Sequence, residues 1–90
     1  MPGRTARGDV IDYLVGVCVK NNVTPLKTAF ADFVIQACAA KFGYDKSRSK
    51  SFIDTLLSAW KHDRWTGFVR DNPYLTPQEK ERWIQIYGRA

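Results

Sequence analysis

A chain of 90 residues is long enough for one domain and too short for two separate cores. Lysine and arginine number 14 against 9 aspartates and glutamates, a net charge of +5, and 44% apolar residues supply a core and exclude general disorder. No apolar run reaches the roughly 18 residues of a membrane span. Residues 1–8 lack the apolar region of a signal peptide, which predicts an intracellular protein, cytoplasmic or nuclear, without a membrane partner.

In chain order, residues 1–8 carry Arg4, Arg7, glycine and proline without periodicity and read as a flexible basic arm; residues 9–90 read as one domain. Asp9 is the expected N-cap of a first helix, in which Ile11, Leu14, Val15 and Cys18 follow helical spacing. Val10, Tyr13 and Val17 make that helix apolar around most of its circumference, as expected of a central helix or one at a subunit contact. Thr24-Pro25 is a helix-start signal. Leu26, Phe30, Phe33, Val34, Ala37 and Cys38 then form a stripe that stops at Gly43, as one long helix or a broken pair.

Between Lys41 and Lys50 stand Lys41, Lys46, Arg48 and Lys50 against Asp45 alone. This local +3, with the +2 of the arm, accounts for the whole excess of charge. The segment runs into Phe52, Ile53, Leu56, Leu57 and Trp60 at helical spacing, which turns Ser47, Ser51, Asp54 and Ser58 away from the core. Truncating Trp60 is expected to unfold the domain. Residues 64–70 are rich in β-formers and precede the turn signal Asp71-Asn72-Pro73, so residues 64–75 read as a small hairpin or an extended loop. Thr76-Pro77-Gln78-Glu79 has the form of a capping box and opens a last helix carrying Trp83, Ile84 and Tyr87.

Catalytic chemistry finds little support in these residues, and no enzymatic activity, cofactor, metal or small-molecule substrate is expected. The single histidine, His62, lies between Lys61 and Asp63 in a charged stretch, where a solvated side chain is the ordinary outcome. Cys18 and Cys38, the two cysteines, lie on apolar stripes away from it and read as buried, inert thiols rather than a disulfide or zinc site. A basic helix start favours nucleic acid: its dipole attracts phosphate, and serine, lysine and arginine contact phosphates and guanine edges. Trp65, Phe68 and Tyr74 read chiefly as anchors of the hairpin; exposed, they would stack on unpaired bases.

The order of elements, with Ala39-Ala40-Lys41-Phe42-Gly43-Tyr44 leading through Asp45 to Ser49 and on to Ser51-Phe52-Ile53-Asp54-Thr55-Leu56-Leu57, resembles a winged helix-turn-helix domain over about residues 9 to 88. Ser49 departs from that pattern, standing where an aliphatic residue is normally buried. The resemblance implies a mainly α fold with a short C-terminal β-hairpin as wing. It also implies sequence-dependent binding of double-stranded DNA, in a small transcriptional regulator acting as a homodimer. The helix near 47–61 would enter the major groove with Ser47, Arg48, Lys50, Ser51 and Asp54, flanked by Lys41 and Lys46. Arg64 and Arg70 on the wing, and Arg4 and Arg7 on the arm, would touch backbone or minor groove. Two other readings stand beside it: a helical interaction or assembly module using the apolar first helix, and a single-strand binder using exposed aromatics.

Overall fold

Residues 6–88 are described by a computed structural model with five helices: α1 Arg7–Lys20, α2 Phe30–Phe42, α3 Lys46–Lys61, α4 Trp65–Arg70 and α5 Pro77–Tyr87. Helix α1 lies at the centre. Val10, Leu14, Val15 and Cys18 are fully buried, Ile11 nearly so, and α1 touches each of the other four helices. Its apolar circumference is therefore spent inside the fold. Gly16 also permits the close approach of the loop between α4 and α5, because a Cβ there would lie 3.2 Å from Tyr74 Cβ and 3.3 Å from Asn72 Oδ1.

Asp9 is not the cap of α1. The helix starts at Arg7, with the Ala6 carbonyl accepting from the Asp9 and Val10 amides at 3.0 and 3.2 Å, and Asp9 sits in the first turn, where the dipole favours a carboxylate. The early start has a tertiary cause: the Arg7 guanidinium donates to the Ser51 carbonyl and the Thr55 hydroxyl of α3. Arg7 and Gly8 thus belong to a helix rather than to an arm, and Arg4 lies outside the described residues.

Thr24-Pro25 opens a turn rather than a helix. The Thr24 hydroxyl accepts from the Leu26 amide and the Thr24 carbonyl from the Lys27 amide, which closes one turn and leaves Leu26 77% exposed. Then α2 begins at Phe30 and buries Phe30, Val34 and Cys38. It ends as the sequence predicts, at Gly43, whose left-handed φ of 70° lets its amide return to the Ala39 carbonyl. Residues 43–45 form the turn to α3, where Asp45 Oδ1 accepts from the Arg48 amide at 2.8 Å. No other pair of helices packs as extensively as α2 and α3.

On α3, Phe52, Ile53 and Leu56 are buried while Ser47, Ser51, Asp54 and Ser58 are exposed, as their spacing predicts. The polar Ser49 is fully buried, and its hydroxyl donates to the Asp45 carbonyl at 2.9 Å, which satisfies it inside the core. Trp60 is only half-buried; Trp65 and Trp83, 3% and 5% exposed, are the deep tryptophans. Unfolding on loss of a tryptophan is accordingly expected at those two positions rather than at Trp60.

The expected wing is absent: no strand occurs among the described residues, and Trp65–Arg70 is a helix. Trp65 and Val69, one turn apart, are both buried, and the gain from placing that pair in the core outweighs the local preference for strand. Asn72 then fixes the chain. Fully buried, it donates from Nδ2 to the Asp12 carbonyl at 2.7 Å and accepts at Oδ1 from the Tyr74 amide at 2.9 Å.

The capping box of α5 forms as predicted: Glu79 Oε1 accepts from the Thr76 amide at 2.9 Å and the Glu79 amide donates to the Thr76 hydroxyl at 3.1 Å. That backbone hydrogen bond, supported by Lys20 at 3.5 Å and only partly opposed by burial, holds the Glu79 carboxyl below its ordinary value of 4.5. Folding therefore favours the ionised form, so its contribution is present above pH 4.5 and is lost as the pH falls through the lower folded-state value. Asp12, raised by burial and by Asp9 and Asp71, has the opposite sign. Comparing the wild type with Glu79→Gln isolates the first effect. In acid titrations of thermal stability the wild type should lose its advantage over the variant below pH 4.5, and a constant difference would contradict the assignment.

Candidate nucleic-acid interface

The first two turns of α3 carry Lys46, Ser47, Arg48, Lys50 and Ser51, all exposed. With about 100° between successive residues, Ser47 and Ser51 form a strip of small polar groups. Lys46 and Lys50 run along one side of it and Arg48 along the other. Asp54 continues the strip toward the C-terminal half.

Three of the cations lie over aromatic rings that the sequence offers only as helix and turn residues, not as partners of the charges. The Arg48 guanidinium lies 4.1 Å from the centroid of Tyr44, and Tyr44 is stacked on Phe52, 5.7 Å away and tilted by 8°. Arg7 lies over Phe52 at 4.4 Å. Lys41 lies over Tyr13 at 5.3 Å, and Tyr13 meets Phe42 edge-on while Phe42 stacks on Tyr44 at 5.1 Å. A continuous shelf of four rings thus joins three cations from α1, α2 and α3. Each contact over a ring face adds about 0.5–1 kcal/mol at an exposed site and, more to the point here, restricts a side chain that would otherwise sweep solvent. One signal was readable in the sequence: Tyr44 stands four residues before Arg48, across the turn.

The anion-binding capacity of the α3 N-terminus is smaller than the sequence suggests. Asp45 already occupies the Arg48 amide, and the Ser49 amide bonds to the Asp45 carbonyl. The amides of Lys46 and Ser47 remain available to a phosphate.

Lys41, Lys46, Ser47, Arg48, Lys50, Ser51 and Arg7 are thus brought together, with Asp54 at the margin. Arg64 lines a cleft with Asp54, Thr55, Ser58, Ala59 and Phe68 along the C-terminal half of α3, which adjoins the cluster at Asp54 and at Thr55, the partner of Arg7. Arg70 is at the far end of α4, about 9 Å further on. With no hairpin to carry them, these two arginines do not form a wing. Of the aromatics expected near it, Trp65 is buried, Phe68 is half-buried, and Tyr74 is 44% exposed with its ring edge-on to Tyr13.

The other reactive groups lie elsewhere. Both thiols are buried and unbridged; burial pushes Cys18 up to about 12 and also raises Cys38, where a hydrogen bond with Ser49 opposes the shift. His62 is exposed at the C-terminal cap of α3. Among the described residues no helix is long and apolar enough to cross a membrane. Comparison with known protein families, with curated proteins and with solved structures finds no match to this chain.

Proposed function

We propose that this protein binds double-stranded DNA, with α2, the turn at 43–45 and α3 acting as a helix-turn-helix and α3 as the helix presented to the major groove. The observation that carries the reading is the exposed strip Ser47–Ser51 flanked by Lys46 and Lys50 on one side and by Arg48, braced on Tyr44, on the other. Arg48 and Lys50 are suited to guanine O6 and N7 or to the flanking phosphates, the serines to either, and Arg7 and Lys41, on the shelf beside Arg48, to the neighbouring backbone. The domain works without a wing in this reading.

Sequence-dependent regulation of transcription by a homodimer extends the same proposal. Two copies would present their α3 helices to half-sites about 34 Å apart, one turn of the duplex. The competing interaction-module reading loses its motive, because the apolar surface of α1 is occupied by the other four helices. A single-strand reading keeps one supporting feature, the half-exposed rings of Tyr13, Phe42 and Tyr44 beside cations.

Mobility shifts with a mixed-sequence duplex and with either separated strand test the choice. Duplex binding is expected at 50 mM salt and should weaken about 100-fold by 200 mM if roughly four phosphates are neutralised. No shift of the duplex at low salt would overturn the proposal, and tighter binding of the single strands would transfer the function to the aromatic shelf.

A further inference from the structure

At the opposite end of α3, about 15 Å from Lys50 along the helix, lies a cleft of about 220 Å³ lined by Trp60, Asp63, Trp65, Thr66, Trp83 and Tyr87. All three tryptophans of the chain line it, together with a tyrosine and a single charged side chain, the carboxylate of Asp63. The Trp60 ring is nearly perpendicular to each of the others, 77° to Trp65, 82° to Trp83 and 71° to Tyr87, with centroids 5.4 to 6.4 Å away. Trp83 and Tyr87 lie side by side at 4.9 Å, tilted by 33°. Rings at these separations pack edge-to-face on one another, and the parts of them left uncovered line the cleft.

Two further observations set this cluster apart from ordinary core packing. Trp65, one of the lining residues, has a fully buried indole N–H without a hydrogen-bond partner, and a buried donor of this kind is uncommon. Asp63 holds a left-handed backbone with φ of 61°, which places its carboxylate at the turn between α3 and α4. Among the described residues no lysine or arginine forms an ion pair with it.

We infer that this cleft binds a trimethylammonium-type cation, with Trp60, Trp83 and Tyr87 supplying ring faces and Asp63 the balancing charge. Aromatic faces attract a cation through their quadrupoles, and a methylated ammonium suits them best because it is large, poorly hydrated and cannot donate hydrogen bonds. The space exceeds the roughly 150 Å³ of an engineered apolar cavity that takes up benzene, so such a group fits. The site is independent of the DNA-binding proposal, and neither stands or falls with the other.

The test is a tryptophan-fluorescence titration of the whole protein with tetramethylammonium chloride and choline. Sodium chloride controls for ionic strength, and 3,3-dimethylbutan-1-ol serves as the neutral carbon counterpart of choline. A saturable change is expected with both cations and with neither control. Trp60→Leu should abolish it, and Asp63→Asn should weaken binding by about two- to fivefold, as expected for an exposed charge pair. Should Trp60→Leu fail to fold, the Asp63→Asn variant and the neutral alcohol still decide the matter. A response to the alcohol equal to that of choline, or a cation response that merely follows ionic strength, would overturn the inference. A trimethyllysine peptide, compared with its unmodified form, distinguishes the source of the group: tighter binding than free choline indicates a protein-borne cation, and weaker binding a free small molecule.

Discussion

Replacing Arg48 and Lys50 together by alanine is expected to weaken duplex binding by roughly 100-fold, because two contacts of this type contribute about 1–3 kcal/mol each. The fold should hardly notice. Lys50 is exposed with no contact to lose, and Arg48 gives up only its position over Tyr44, about 0.5–1 kcal/mol. In a domain of this size that lowers the melting temperature by less than about 8 °C. A charge-matched control, Lys27→Ala with Arg82→Ala, removes two exposed cations from other parts of the surface. It should keep most of the affinity. Equal losses in the two double variants would mean that bulk charge, and not the α3 surface, is what DNA meets.

The largest effect on stability is expected at a residue with no part in that surface. Asn72→Ala should cost about 2–4 kcal/mol: two hydrogen bonds disappear, the Tyr74 amide loses its acceptor, and a fully buried side chain leaves a void. Against a total of about 5–13 kcal/mol for 90 residues this is a large fraction, and the melting temperature should fall by more than about 10 °C. Asn72→Asp keeps the acceptor but removes the donor, and it sets a charge beside Asp71 and near Asp12. It should be worse than alanine at neutral pH and should recover in acid, when the carboxyl is neutral. Thermal melts of the two variants at pH 7 and pH 4 check both statements, and a shift of only a few degrees for Asn72→Ala would remove this residue from the account of stability.

Features that depend on a few neighbouring residues were legible in the sequence. Thr76, Pro77 and Glu79 announce α5, Gly43 ends α2, and Phe52, Ile53 and Leu56 declare the buried side of α3, because each rests on local geometry or on a helical period. The same holds for the basic cluster from Lys41 to Lys50, a fact of composition along one short stretch. Legibility fails where distant parts of the chain decide. Trp65 to Arg70 has the side chains of a strand, but Trp65 and Val69 find the core only when one turn apart on a helix. Asn72, a plain turn residue by sequence, reaches across 60 positions to Asp12. Arg7 looks like part of a loose arm until Ser51 and Thr55, 44 and 48 positions away, extend α1 around it.

The candidate site divides the same way. Arg48 and Lys50 were visible as charges, whereas the shelf of Tyr13, Phe42, Tyr44 and Phe52 that braces Arg48, Lys41 and Arg7 exists only once three helices meet. Arg64 and Arg70 were expected on a wing because residues 64–70 are rich in β-formers and run into the turn signal Asp71-Asn72-Pro73. The segment folds as helix α4, with Arg64 at its N-terminal cap and Arg70 in its last turn.

The most direct measurement of where DNA binds is a titration of the ¹⁵N-labelled protein with a short mixed-sequence duplex, following the backbone amides. The account predicts that the largest shifts gather between Tyr44 and Ser51, with smaller ones at Arg7 and Lys41, and that α5 stays silent. Shifts centred on α5 or on the Trp60 cleft, or none at a salt concentration where the duplex is bound, would contradict it.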